Sequence, residues 1–573
     1  MRLFLVPTSS DSEFAIPDTS DTNGAAIAKR EARYYSLSML LLPNIALLHL
    51  LLIFATFHCA LAFSSPRRTR TMSVDPYRLG YVTDLEGHID FFLSFVERSN
   101  VLDVVSNTPK KLELDLREGC YFVFGGDSVD KAPGDIRLCR SLVSLKRRYP
   151  DRVFLLVGNR DLNKIRFTAE LSAADMERDI DEIPSPHWDP NAPSLRTYLE
   201  QVAKAKGMAR AEDANTRVER LRYMLKHTLG CPDTFEFRRQ ELAILKECGV
   251  ADISDDQICD SFIFEVENEE GSLRQYLENA NVAAVVGNTL FVHGAVDLNT
   301  MRFVPRHDTK FELPTKRAPP GKACDDLIEW VDSLNDYLRV GMKDYQARPV
   351  WDEGRTTRGG EALLALQNRC AVWGRSVISN CYGDGGVVTN DHAVQYLQDP
   401  NRAEMEEKDP MVFENVSSDP KDPVVAAWLK KNGIRRVVVG HKPTGDCPAV
   451  LSSTFTGVEI ASGDTSFSDV TASDNRGLAL PVIEIVGENA VDNHLEISGR
   501  FNDGRDYHST FHRLYGKDDI DVTVGDPTLG TEVDGGYWVK ASCTEKYRLC
   551  RGKGRKVEHN DVPIAEFRAR FGK

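Results

Sequence analysis

An α/β architecture is the fold class that the sequence predicts, on three observations. From Tyr77 onward, short apolar runs alternate with stretches of helical periodicity. The runs are rich in Val, Phe and Leu and are bounded by Gly, Asp or Asn, as strands buried on both faces are. Each run is followed at once by a residue able to hold a metal or a phosphate, the placement expected outside the carboxyl ends of strands in an open α/β sheet.

The chain begins with something else. Residues 1–35 are polar, and Leu37–Phe63 is strongly apolar. Within it, Ile45–Phe63 approaches the roughly 20 residues that span a bilayer. It carries His49, Thr56 and His58, however, and ends in Ala60-Leu61-Ala62, an A-x-A cleavage signature. A removable signal fits better than a retained anchor. The following 64–75 segment is Ser- and Arg-rich. A Phe63 start followed by such a stretch resembles the bipartite presequence of algae with secondary plastids, which implies a plastid address. A retained apolar run implies a membrane-anchored chain, export alone a secreted one, and a start at Met72 a cytoplasmic one.

The predicted strands are Leu79–Thr83, Cys120–Phe124, Val153–Val157, Val282–Val286 with Leu290–Val292, and Val437–Val439. Two helical insertions interrupt them, 165–280 and 322–432, read as packing helices over the strand ends. From 488 onward the pattern alternates polar and apolar residues around Asn502-Asp503-Gly504, a hairpin turn, and predicts a small β-rich accessory domain. The division is therefore 1–75 targeting segment, 76–487 main domain and 488–573 accessory domain.

Composition narrows the function. Of 573 residues, 42% are apolar and 27% charged, an ordinary globular balance. The net charge of −15 repels a phosphate backbone, so no nucleic-acid partner is expected. The twelve cysteines include no C-x-x-C pair, which removes the usual thiolate zinc spacing. Cys543 and Cys550 are close enough in sequence to bridge in an oxidising compartment.

Chemistry concentrates at the strand ends. The motifs are Thr83-Asp84-Leu85-Glu86-Gly87-His88, Gly125-Gly126-Asp127-Ser128-Val129-Asp130-Lys131, Gly158-Asn159-Arg160-Asp161, His293-Gly294 and Gly440-His441-Lys442-Pro443. Singly, an Asp after a strand is ordinarily a turn residue or helix cap, and a lone His is ordinarily decoration. Together, carboxylate, amide oxygen and imidazole suit Mn, Fe or Zn.

In this order the motifs resemble those of the calcineurin-like metallophosphoesterase superfamily, D-x-H-G, G-D-x-x-D, G-N-H-[DE], H-G and G-H. The stretch from Gly125 to Asp161 is most similar to the branch of Ser/Thr protein phosphatases and bis-nucleotide polyphosphatases. The resemblance implies a four-layer α/β/β/α sandwich and two divalent transition-metal ions. It implies that Asp84 binds one ion, that Asp127 bridges both, and that Asn159, His293 and His441 bind the second. It further implies hydrolysis of phosphomonoesters or phosphoanhydrides by a hydroxide that the metal pair activates, with a phosphorylated small molecule or phosphoprotein as substrate.

Three departures bear on this. Glu86 stands where the family keeps a metal-binding histidine; it remains a candidate ligand, with His88 the alternative donor. Arg160 stands where the family keeps its catalytic histidine. An arginine cannot donate a proton at neutral pH but can hold a phosphate, so His88 or Asp161 becomes the candidate acid. Lys131 replaces an arginine and is a second candidate for phosphate binding. The competing reading is a catalytically weakened binding or scaffold protein on the same fold.

Overall fold

The computed structural model describes residues 77–186, 191–297, 300–309, 321–365, 423–452, 457–465, 479–515, 519–533, 537–553 and 556–572. The targeting segment, with its apolar run and cleavage signature, lies outside them. Asp75–Lys573 forms one compact unit. Among the described residues, no helix is long and apolar enough to cross a membrane.

Two sheets carry the fold. In the larger, β1 (Tyr77–Val82), β2 (Cys120–Phe124) and β3 (Val153–Leu155) run parallel, with Leu79 opposite Tyr121 and Phe122 opposite Val153. In the smaller, β4 (Ala283–Val286) and β5 (Thr289–Val292) form a hairpin. There β6 (Arg436–Val439) lies parallel to β5 and to β8 (Glu459–Ser462), while β7 (Ala449–Leu451) closes one edge. Both faces of each sheet are used, which is why these strands read as continuous apolar runs. Leu79, Tyr81 and Val123 meet Phe291, Val438 and Ala461 in one buried cluster between the sheets. The Tyr81 and Phe291 rings stack across it at 5.9 Å.

The alternate residues point the other way, as the two-residue period of a strand requires. Val82, Phe122 and Phe124 pack on α1 (Ile89–Arg98) and α2 (Asp135–Arg148). Leu290, Val292, Val437 and Val439 share their buried cluster with α5 (Leu327–Ala347) and α6 (Pro423–Lys431); α3 (Thr234–Lys246) and α4 (Ser272–Asn279) belong to the first insertion. Helix, sheet, sheet, helix is the four-layer order expected.

The expected division after 487 falls inside a strand. β9 (Leu480–Asn489) pairs antiparallel with β1, Leu79 opposite Ile485, and turns into β10 (Asp492–Arg500). The predicted hairpin is present, since Asp506–Thr510 pairs with β10, but it extends the central sheet. Only Glu532–Pro563 makes a separate four-stranded sheet, and its Val539, Ala541 and Leu549 join the cluster between the main sheets. The polar-apolar alternation was compatible with either arrangement, because one face of these strands is buried in both. Cys543 and Cys550 are both free; Cys550 lies opposite Trp538 and Cys543 opposite Lys546.

Candidate metal centre

The predicted site residues gather where the parallel strands of both sheets end. The backbone there is unusual. Asp84 (φ 52°), Glu86 (47°), Asp127 (56°), Asp130 (127°) and His441 (66°) all occupy the left-handed region. Such a conformation costs a non-glycine residue on the order of 1–3 kcal/mol and persists only where its surroundings over-determine it. Here the loops brace one another: Asp84 N–H donates to Gly126 O (3.0 Å), Glu86 N–H to Asp127 O (3.0 Å), and Gly440 N–H to His293 O (2.8 Å). Gly158 is required by proximity, since a Cβ there would collide with the Asp127 carboxylate.

One half of the site is built from imidazoles. His293 is fully buried, and its Nδ1 donates to Gly125 O at 2.9 Å. That carbonyl fixes the tautomer and leaves Nε2 as an acceptor. Nε2 faces Asn159 Oδ1 at 3.1 Å and Asp127 Oδ1 at 3.5 Å. His441 brings Nδ1 to 2.8 Å from the same amide oxygen. Donor atoms of Asp127, His293 and His441 lie within 4.8 Å of one another. Lone pairs aimed at a common point repel unless a positive charge sits among them. A proton is one answer: burial alone would lower the His293 pKa, but Asp127 outweighs it and raises the value to about 10. A divalent transition-metal ion is the other, and this oxygen and nitrogen set fits one.

The other half is built from ion pairs. Arg160 extends between three carboxylates, with Nε 2.7 Å from Glu86 Oε1 and 3.6 Å from Asp127 Oδ2, and Nη1 3.1 Å from Asp130 Oδ2. Its backbone N–H donates to Asp127 Oδ1 at 2.8 Å. Lys131 Nζ meets Glu86 at 2.9 Å, and Lys164 Nζ meets Asp130 at 2.6 Å. Glu86, Asp130 and Lys164 are all buried. Burial opposes ionisation of Asp127, yet His293, Arg160 and His441 together hold its carboxyl below the usual range. Asp84 shifts the opposite way, raised by burial and then by the neighbouring charge of Asp464. Its Oδ2 accepts from Thr83 Oγ1 (2.6 Å) and from the His441 N–H (3.1 Å).

Asp161 is not placed as a proton donor. Its carboxylate accepts from the N–H groups of Asp127 (3.0 Å), Ser128 (2.8 Å) and Gly158 (2.8 Å) and from Ser128 Oγ (2.7 Å). It ties the second and third motif loops together. His88 lies at the start of α1; burial lowers its pKa, and its charged neighbours are Glu86, Lys131 and Asp90. Lys131, expected to hold phosphate, is paired with Glu86, and Glu86 with it and Arg160 rather than with the imidazoles.

The first helical insertion proves to be part of the site's floor. From α3, Thr234 Oγ1 donates to Asp130 O, and Arg238 pairs with Asp135 at 3.1 Å while Asp135 accepts from the Asp130 N–H at 3.0 Å. Glu241 accepts from the N–H groups of Ile136 (2.9 Å) and Arg137 (3.1 Å) at the start of α2. The sequence reading passed over Lys164 and these α3 residues. Lys164 had a signal: it stands four residues after Arg160, on the same side of a helical turn. The α3 residues had none, since 70 or more residues separate them from the loops they hold.

No protein-family model and no curated protein matches the chain. Among solved structures it is similar to two described as cold-active protein tyrosine phosphatases. One shares 12% identity over 76% of this chain and 78% of that chain (TM-score 0.32). The other, from a psychrophilic Shewanella species, shares 12% identity over 76% and 80% (TM-score 0.31). A third is a protein serine/threonine phosphatase from Saccharomyces cerevisiae with similarity to human phosphatase PP5. It shares 12% identity over 72% and 74% of the chains (TM-score 0.26).

Proposed function

We propose that the chain is a metal-dependent phosphoesterase acting on phosphomonoesters or phosphoanhydrides. The observation that carries this reading is the convergence of Asp127, Asn159, His293 and His441, from four strand ends in two sheets, on one point lined with electron pairs. A divalent ion held there supplies Lewis-acid polarisation of a phosphoryl oxygen and a lowered pKa for water. The chain's own residues supply orientation. Asp161 fixes the loop carrying Asp127, Gly125 O fixes the His293 ring, and Arg160 presents a cation whose Nη2 is taken by none of the described residues. A guanidinium so held can bind a phosphate oxygen and stabilise the charge that gathers there in the transition state.

With Arg160 in place of an acid and Asp161 committed to backbone groups, leaving groups of low pKa suffer least. General-acid catalysis contributes about 10²–10⁴-fold where it operates. Aryl phosphates and phosphoanhydrides are therefore the favoured substrates, carried on a phosphorylated small molecule or phosphoprotein, and a plastid destination is part of the same proposal. Chelated protein should not hydrolyse p-nitrophenyl phosphate, and added Mn(II) should restore turnover. No turnover in folded, metal-loaded protein would sink the enzyme reading in favour of a phosphatase-fold binding protein. The Glu86–Arg160 pair is the observation that favours that second reading.

A further inference from the structure

We propose that this centre holds one transition-metal ion and that the Arg160 guanidinium stands in the place of a second. The inference rests on the phosphoesterase reading and changes its stoichiometry.

Position is the first argument. In the family pattern that the motifs resemble, a second ion is shared by Asp84, Asp127 and the residue at position 86. Here the Arg160 Nε lies between Glu86 (2.7 Å) and Asp127 (3.6 Å), where an ion common to those two carboxylates would lie. The two residues that depart from the family's histidines are thus each other's partners. An imidazole pair has been replaced by an anion and a cation that satisfy one another.

Charge is the second. Glu86, Asp127 and Asp130 are matched by Arg160, Lys131 and Lys164 through contacts of 2.6–3.6 Å, so this half is neutral before any ion enters. A divalent ion there would meet a buried guanidinium at short range in a poorly screened setting, and like charges so placed repel strongly. The imidazole half has no such cation of its own, and it is there that bare acceptors converge.

Donor availability is the third. Glu86 Oε1 faces both Arg160 and Lys131, and Asp84 Oδ2 accepts from Thr83 and His441. Two of the carboxylates needed to complete a second site are already engaged. The exchange keeps a positive charge beside the phosphate while giving up a ligand-exchange position. A guanidinium offers planar hydrogen bonding instead, and Nη2 is the nitrogen left for it.

The test is metal content. Full-length protein loaded with excess Mn(II) and dialysed should retain one ion per chain by elemental analysis. Its electron paramagnetic resonance spectrum should be that of an isolated Mn(II) ion. Asp84→Asn should keep that ion, and Asp127→Asn should lose it. Two ions per chain with an exchange-coupled spectrum overturns the inference and leaves the phosphoesterase reading standing. No bound ion overturns both. The guanidinium's role has its own readout: Arg160→Met should weaken inorganic phosphate binding to the metal-loaded protein about ten-fold, as loss of a charged hydrogen bond does. Unchanged phosphate affinity in folded, one-ion Arg160→Met overturns that part. The wild-type measurements decide the stoichiometry even if this variant does not fold.

Discussion

The two halves of the centre solve one problem in opposite ways. Both must keep buried carboxylates ionised at the ends of strands, where water is excluded and an unpaired charge costs several kcal/mol, on the order of the Born penalty left after relaxation. Around Glu86 and Asp130 the chain supplies its own cations, Arg160, Lys131 and Lys164, and the charges close among themselves. Around Asp127, His293 and His441 it supplies acceptors instead, and the account is open until something positive arrives. Asp127 belongs to both, through His293 on one side and Arg160 on the other. The difference teaches that one constellation of strand-end residues can be part structural and part receptive, and that the sign of a partner decides which.

The largest effect should come from the residue the halves share. Asp127→Asn should remove metal and lower kcat by about 10²–10³-fold or more, the scale of losing a preorganised electrostatic group. A variant that retains both metal and turnover would dissolve the distinction between the halves. Next is Arg160→Ala, which leaves Glu86 and Asp130 short of a partner. Breaking a buried ion pair from one side costs about 3–5 kcal/mol. Urea denaturation of apo protein reads this, and a midpoint like wild type would mean that Lys131 and Lys164 suffice alone.

A third prediction tests whether the helical insertion supports the self-balanced half. Glu241 is raised to about 7, by burial first, with Arg238 opposing and Asp135 adding to it. Because the folded pKa exceeds the unfolded one, the native state holds the proton longer, and stability falls as pH rises from about 4.5 to about 7. Glu241→Gln keeps an oxygen for the Ile136 and Arg137 N–H groups and should flatten that slope. The gain over wild type at pH 7.5 should be on the order of 1 kcal/mol. Asp135, raised to about 6, should leave a residual slope below that pH. Thermal midpoints from pH 4.5 to 8 measure both; parallel profiles would refute the assignment. The smallest effect belongs to Lys131→Met. Lys131 faces one carboxylate from a partly exposed position whereas Arg160 links several, so the loss should stay near 1 kcal/mol. A loss equal to that of Arg160→Ala would erase the ranking.

Much of the site was legible because it is local. A strand that ends in Gly-Asp or Gly-Asn announces a turn and a polar side chain at its tip, and Asp84, Asp127, Asn159, His293 and His441 were all found this way. The roles of Glu86, Arg160, Lys131 and Asp161 were not legible. A charged residue's role depends on which charge faces it. Glu86 and Arg160 are 74 positions apart, so only the parallel pairing of β1, β2 and β3 brings their loops together. The α3 contribution was hidden for the same reason.

By itself, then, the sequence determined the alternation of strand and helix, the tips that bear metal-type residues and the hairpin at Asn502-Asp503-Gly504, because each rests on neighbours within a few positions. Tertiary structure alone decided that β9 and β10 belong to the central sheet rather than to a separate domain. It alone decided that Asp161 serves backbone N–H groups and that Glu86 pairs with Arg160. Strand partners and charge partners are chosen across long separations, where burial selects the pairing that leaves the fewest polar groups unmatched.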